Sequence, residues 1–489
     1  MRANQIINSV PDWIWALILF VVALGVRLLH LTDTDIAGDE PFSIFVAQFE
    51  PAFIIEYLGT GNNPPLFELI LHYWMNVVGD SDYHLRLLPA IFSALTVIPL
   101  FLIGSKFFNR QVGLLASTLF TFSTWNIRFA HEVRVYSLLS LLTAISIWFF
   151  ISIISNPNRN QNWIALAVTW VLMLYSHYVA VYMIGTQILI GAFLISREHI
   201  KKALGLLAVL GLAYLPNVYV FLQRLDEVVE SGGTWVQPPG WGEIYGSVNL
   251  MLNNRLVVVM LILLLVLGYV LNKDRIRIKL LAAANSKLVL TISLLFLIPY
   301  LTQFFISKLY LPMFTDRYIL YASVPLYLTI GWLVNHVWDD AKFSLLGPSV
   351  LLVAMIAFGT LKPTNNREVA NAIKQVKDWK DKGTTIYVLP EEFELTFAYH
   401  YDKDWFRFIG TTEAPKSELR SAMNGNEVFA ISSNENLNNK LPNRIICLDA
   451  HSEFLHPGNE VLNQFRAHYA IKDSVHFHQI FDVYLFEVE

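Results

Sequence analysis

Residues 33–65, DTDIAGDEPFSIFVAQFEPAFIIEYLGTGNNPP, separate the first strongly apolar run of the chain from the second. Asp39 and Glu40 stand side by side after Gly38 and before Pro41, close to where an apolar helix has just ended. Ionised groups at a membrane edge are costly unless they line a wet cavity or have partners, so an adjacent acid pair marks a functional site. The competing reading is helix capping. Pro41 suits the first turn of a helix through Ala47, and acids favour that end. Pro41–Phe49 and Leu66–Val78 have helical apolar spacing and predict two short interfacial helices, with Asn62-Asn63-Pro64-Pro65 as a rigid turn between them.

Around this stretch the chain is strongly apolar. Of 489 residues, 55% are hydrophobic and only 15% charged, well below the roughly 25% charged of soluble domains. The expected class is a polytopic α-helical membrane protein. A net charge of −4 points to no nucleic-acid partner. One cysteine, Cys447, excludes an internal disulfide framework and a cysteine-cluster metal site, and reads as a small buried residue of a strand.

The run 13–31 is too long for a signal-peptide core and reads as the first anchor. Further apolar runs lie near 84–105, 111–127, 137–155, 162–178, 180–196, 203–222, 256–272, 288–306, 318–336 and 343–361. At roughly 20 residues per crossing they predict about eleven transmembrane helices. Lys106 and Arg110, then Arg159, then Arg197, Lys201 and Lys202, then Lys273 to Lys279, then Lys342 fall in alternate loops, and Arg2 precedes the first run. The positive-inside rule places these in the cytoplasm, with the N-terminus, and everything after Lys362 outside. Residues 1–362 form the expected membrane domain, with an outer-face loop at 32–83. Residues 363–489 are less apolar and alternate helical and β-type runs, which predicts an extracytoplasmic α/β domain. There, Asn366–Lys382 reads as an amphipathic helix, with strands near Thr385–Leu389, Glu427–Ile431, Arg444–Asp449 and Phe481–Glu487. His476-Phe477-His478 has the alternation of a surface strand.

The same outer face collects the remaining unusual residues. Arg128, His131, Glu132, Arg134 and Tyr136 crowd one turn, and Lys308, Asp316, Arg317 and Tyr318 another. An isolated turn of this kind reads as a solvated, self-paired loop, and Lys308 as a side chain snorkelling to headgroups. Two arginine-bearing turns on the face that holds an acid pair point further. The planar guanidinium fork donates parallel hydrogen bonds to phosphate. His177, between Tyr175 and Tyr178, ends another span, where a lone histidine is ordinarily a hydrogen-bonded interface residue. The Gly-, Pro- and Trp-rich loop 223–254 suits a lid or a sugar platform, or a plain cover.

Taken in order, Asp39-Glu40, Pro64-Pro65, LRLLPAIFSALTVIPLFLIG, the turn ending Arg134-Val-Tyr136, and Asp316-Arg317-Tyr318 opening a late span resemble the GT-C superfamily of lipid-phosphate-dependent glycosyltransferases. Its relatives include the protein O-mannosyltransferases and the lipid A aminoarabinose transferases. The resemblance spans most of residues 10–340; beyond Pro363 it is one of layout. It implies a polyprenyl-phosphate sugar donor, a lipid, glycan or protein acceptor, an extracytoplasmic site and inversion at the anomeric carbon. By position, Asp39 is the catalytic carboxylate and Glu40 its neighbour, while Arg134, Tyr136, Arg317 and Arg128 stand at the carrier phosphate. Asn62, Asn63, His177, Tyr178 and Tyr318 line the substrates. No cofactor is demanded, although His177 occupies the place of a divalent-metal ligand. The metal-binding Glu of the aminoarabinose transferases, before the Pro-Pro turn, is absent, since Asn62-Asn63 stand there. The implied setting is the bacterial cytoplasmic membrane, in contact with its lipids. Two other readings fit the hydropathy: a transporter or flippase of lipid-linked sugars, and a non-catalytic assembly subunit. Transporter sites lie near mid-bilayer at broken helices, often within repeated halves, whereas these charges gather at one face.

Overall fold

The computed structural model describes residues 9–59, 63–230, 236–282, 286–338, 344–362, 368–407, 414–434, 442–477 and 480–488. They form two compact units. The first comprises Met1–Leu31, Ile55–Ile70 and Arg86–Pro363, the second Thr32–Ile54, Leu71–Leu85 and Thr364–Glu489. The chain is a multi-pass membrane protein built on a helical first unit. Among the described residues six helices are long and apolar enough to cross a membrane, Asp82–Phe107, Tyr136–Ser155, Arg197–Gln223, Arg255–Lys273, Lys287–Leu309 and Arg317–Val337. The other apolar runs are also helical but shorter: Asp12–Leu28, Arg110–Thr121, Asn160–Ser176, Ala180–Leu194 and Leu346–Ala357. Each of the eleven predicted apolar runs thus falls on a helix. His177 is the C-cap of helix Asn160–Ser176, and Ser123 starts a new helix within the apolar run 111–127.

Packing in the first unit depends on small residues and internal polar bonds, since apolar contact with lipid is no worse than with protein. A Cβ at Gly104 would collide with the Cα of Gly113, so helices Asp82–Phe107 and Arg110–Thr121 meet backbone to backbone there. Asn109 donates to Asn335 at 2.6 Å, and Asn335 donates to Gln111 at 2.5 Å. Arg27 is fully buried in helix Asp12–Leu28. Its guanidinium donates to the carbonyls of Thr121 (2.6 Å) and Phe120 (3.0 Å) and to Ser93 Oγ (3.1 Å). Those carbonyls end helix Arg110–Thr121 and have no partner in the helix itself, so a buried guanidinium completes them.

The second unit contains a five-stranded sheet in the order β2-β1-β3-β5-β4. β1 (Thr384–Leu389), β2 (Val428–Ala430) and β3 (Arg444–Asp449) are parallel, while β5 (Phe481–Glu487) runs antiparallel to β3 and to β4 (Ala470–Phe477). Four strands fall on the predicted runs. The fifth, β4, is the exposed edge, and its solvated pattern Ala-Ile-Lys-Asp-Ser hid it until His476-Phe477. His478 lies outside the described residues. Cys447 is buried in β3, packed with Tyr387, Ile445, Phe465 and Phe486. Helix Val369–Trp379 buries Val369, Ala372, Ile373 and Val376.

The loop after the first helix holds three helices rather than two: Glu40–Val46, Pro51–Gly59 and Leu66–Val78. Pro51 opens the unexpected one, at the first helical position, where a missing N–H costs nothing.

Candidate functional site

In the first unit the arginine-bearing turns are tied down from below. Ser123 caps helix Thr124–Ala130 through the Asn126 N–H. After that helix, His131 Nε2 lies 2.7 Å from the carbonyl oxygen of Arg27. A carbonyl only accepts, so Nε2 carries the proton. Burial, aided by the nearby charges of Arg86, Arg27 and His30 and opposed by that hydrogen bond, pushes His131 down to about 4. It is a neutral fastener at pH 7. Ser137 Oγ donates back to the Phe129 carbonyl at 3.2 Å, closing the turn that presents Arg134 and Tyr136.

Arg128 is engaged by carboxylates, Asp316 Oδ2 at 3.2 Å and Glu132 Oε1 at 3.8 Å. Asp316 in turn accepts the Arg317 N–H at 2.9 Å, heading a 3-10 turn over Arg317–Ala322. The Arg128–Asp316 pair thus joins the two arginine-bearing turns and fixes where Arg317 begins.

Above this brace the expected residues converge. The rings of Tyr136, His177 and Tyr318 stand 5.0–6.2 Å apart, centroid to centroid. The Arg317 guanidinium lies 5.4 Å from the Tyr318 ring centroid. Both Arg134 and Arg317 act electrostatically on His177. Arg134, Tyr136 and His177 are buried, while Arg317 and Tyr318 are half-buried. His177 Nδ1 accepts the Val179 N–H at 3.2 Å, so in the neutral ring the proton sits on Nε2. Three sequence-distant turns therefore deliver two guanidiniums, an imidazole N–H and two phenol rings to one place. Guanidinium and imidazole N–H donors are the groups that suit an anion. The Tyr178 ring packs on Phe221 at 5.6 Å.

No group of three His, Cys, Asp or Glu side chains that could hold a metal ion is assembled among the described residues. The His177 ring stands in the field of two cations, which would repel a third. Asn63 is half-buried, and Asn62 lies outside the described residues.

The acid pair belongs to the second unit, and its two members differ. Gly38 adopts φ +63°, a conformation that suits glycine, and the chain then turns into helix Glu40–Val46. Glu40 is buried, and its carboxylate accepts the Ala37 N–H at 3.1 Å. Asp39 occupies the N-cap position without a side-chain capping bond and is exposed. Both acids therefore open the helix as the capping reading has it, Asp39 at the N-cap and Glu40 in the first turn before the C-cap Ala47; beyond that Glu40 closes its own loop, and Asp39 is exposed. Two further residues, His400 and Asp35, hold this loop, and sequence periodicity gave no sign of them. His400 Nε2 donates to the Ile36 carbonyl at 2.7 Å, and Asp35 accepts the Ala370 N–H at 2.8 Å.

Comparison with known proteins adds the fold and a family model. Residues 62–220 match the model described as dolichyl-phosphate-mannose-protein mannosyltransferase. No curated protein sequence matches the chain. Among solved structures, ArnT from Cupriavidus metallidurans in the apo state superposes with a TM-score of 0.59 at 11% identity, over 96% of this chain and 97% of that one. The same protein bound to undecaprenyl phosphate gives 0.58 at 12% identity, over 96% and 98%. Asn63, Arg134, Tyr136 and His177 lie inside the segment that the family model covers; Asp39, Glu40 and Arg317 lie outside it. This chain therefore shares the fold of the ArnT structures along nearly its whole length, and its residues 62–220 match the mannosyltransferase model.

Proposed function

We propose that the protein is an inverting glycosyltransferase that moves a sugar from a polyprenyl-phosphate donor to an extracytoplasmic acceptor. The observation that carries this reading is the convergence of Arg134, Arg317 and the His177 Nε2–H beside Tyr136 and Tyr318. It is a preorganised set of donors, of the kind that stabilises charge developing on a departing phosphate. The match of residues 62–220 to a mannosyltransferase model supports the sugar chemistry, and ArnT bound to undecaprenyl phosphate supports the carrier class.

The step is a single displacement. The acceptor oxygen bonds to the anomeric carbon from the face opposite the phosphate. The carbon–oxygen bond to the carrier breaks, and both its electrons stay on the polyprenyl phosphate. Where the acceptor is a hydroxyl, its proton passes to the Asp39 carboxylate, the exposed member of the acid pair. Where the acceptor is itself a phosphate, Asp39 orients it and takes no proton. Arg134 and Arg317 receive the charge of the leaving phosphate, and His177 donates to it. Arg128, paired with Asp316 and Glu132, holds the arginine-bearing turns in register. The sugar would lie against Tyr318 and Asn63. The N-terminus would be cytoplasmic and residues 363–489 extracytoplasmic, as the basic loops imply.

The test is transfer from a polyprenyl-phosphate sugar by purified protein in detergent, where no gradient exists. Turnover by the wild type, lost in Asp39→Asn and in Arg134→Ala, is expected. Wild-type rates in either variant would remove that residue from the mechanism, and gradient-dependent movement of donor without transfer would favour the flippase.

A further inference from the structure

The α/β domain reaches into the loop that bears Asp39. Asp35 and Ile36, consecutive residues just before Ala37, are each held by a different helix of the segment Thr364–Glu489. Asp35 Oδ2 accepts the N–H of Ala370 in the first turn of helix Val369–Trp379, at 2.8 Å. The Ile36 carbonyl accepts from His400 Nε2, on helix Glu394–Tyr401, at 2.7 Å. The neighbouring Tyr399 hydroxyl donates to Asp82 at 2.6 Å, and Lys403 lies 4.6 Å from the Tyr399 ring centroid. Beyond them Arg407 makes two bonds to Asp80, at 2.9 and 3.0 Å, and Gln48 donates to the Phe406 carbonyl at 3.3 Å. Phe45 of helix Glu40–Val46 meets Phe406 edge to face at 5.6 Å.

Within the loop itself, Ala37 and Glu40 are cross-bonded, Ala37 N–H to the Glu40 carboxylate and Glu40 N–H to the Ala37 carbonyl. The loop is thus a small closed turn with its entry strand fastened at two successive residues. A carboxylate on a short exposed turn would otherwise sample many positions, and catalysis needs it within a fraction of an ångström of one.

We propose that His400 is a positioning residue for Asp39. Through the Ile36 carbonyl it fixes the turn 37–40, with the Tyr399–Asp82 bond holding its helix in place, so that the α/β domain is a working part of the transferase. The catalytic half of this statement rests on the proposed role of Asp39, whereas the anchoring half does not. The experiment therefore has two arms, both on the full-length protein in detergent. In the first, hydrogen exchange followed by mass spectrometry reads the amides of residues 36–40 in wild type, His400→Leu, His400→Gln and Tyr399→Phe. His400→Leu is expected to speed exchange at Ala37 and Glu40 at least tenfold, with β1 and β3 protected as in the wild type. Glutamine can donate from the same region, and His400→Gln is expected to stay within about threefold of wild type. Unchanged exchange in His400→Leu overturns the anchoring. Should His400→Leu lose protection in the sheet as well, Tyr399→Phe decides, through a roughly threefold rise or none.

In the second arm, His400→Leu is expected to lower kcat tenfold or more while the donor KM stays within twofold, with recovery in His400→Gln. A loosened loop with undiminished kcat overturns the positioning role. Absence of transfer by the wild type would count against the proposed function, and the exchange arm would still settle the anchor.

Discussion

The two chemically dense places in this molecule are built in opposite ways. The cationic cluster of the first unit is made from turns between membrane helices, and side chains hold side chains. Arg128 grips Asp316 and Glu132, and the rings of Tyr136, His177 and Tyr318 crowd together. In the acidic loop of the second unit every fastening has a backbone group on one side: His400 on the Ile36 carbonyl, the Ala370 N–H on the Asp35 carboxylate, and the Ala37 N–H on Glu40. On the proposed mechanism, the difference follows from what each would do. Charge receivers work best when rigid and partly dehydrated, and burial among helices provides that. A carboxylate that meets an incoming acceptor must stay exposed, so its support has to come from behind.

The largest expected effect comes from removing the exposed acid. Asp39→Asn keeps shape and hydrogen-bonding capacity but takes no proton. With a hydroxyl acceptor, kcat should fall by about 10²–10⁴-fold, the usual worth of a general base. A loss below about tenfold would identify a phosphate acceptor or an orienting role. Glu40→Gln, by contrast, should act through the loop, raising exchange at Ala37 alongside any loss of rate. Next in size, Arg134→Ala should lower kcat by about 10²–10³-fold, the cost of removing one preorganised donor from a developing anion.

Arg128 separates bracing from binding. If it holds the arginine-bearing turns together, Arg128→Ala and Asp316→Asn should each cost roughly tenfold, and the double variant little more than either, since partners in one pair are non-additive. If Arg128 touches the phosphate instead, only its own replacement should raise the donor KM. The metal question has an equally plain readout. Transfer should persist in excess chelator, because the charges around His177 disfavour a divalent cation. Loss of activity restored by one added divalent metal would reverse that conclusion.

Much of this arrangement is legible in the residues themselves. Charged and aromatic residues at the ends of apolar runs mark where chemistry gathers, because the bilayer penalises them elsewhere. Asp39, Arg134, Tyr136, His177 and Arg317 stand out for that reason. What local pattern does not carry is the choice of partner across hundreds of residues. Nothing near Arg128 names Asp316, and nothing near Ile36 names His400. Nor does adjacency say which of two acids is exposed. Asp39 and Glu40 share one sequence context, yet the turn at Gly38 sends one side chain out and the other back onto Ala37. The helix at Pro51 hid for a simpler reason: it was too close to its predecessor to show a separate period.

The smallest expected effect concerns pH and bears on the second region only. Burial, with a lesser push from Lys403, holds the His400 ring below the ordinary histidine range, while the Ile36 bond, Asp35 and Asp82 oppose it. The anchored state therefore binds fewer protons than the released state. The sign follows from linkage: the anchor is at full strength above about pH 6.5, the ordinary histidine value, and weakens as pH falls through that value toward the lowered one. Exchange at Ala37 and Glu40, corrected for intrinsic rates, should rise a few-fold between about pH 7 and 5.5. His131 in the first unit is pushed down to about 4 and should also favour the folded form less in acid. Its bond to Arg27 lies under the cationic cluster, so any loosening there would appear at Arg134 and Tyr136 and leave residues 36–40 unchanged. If acid loosens residues 36–40 equally in His400→Gln, which has no titrating ring, then the pH dependence does not come from His400 and the hook onto Ile36 is insensitive to its protonation.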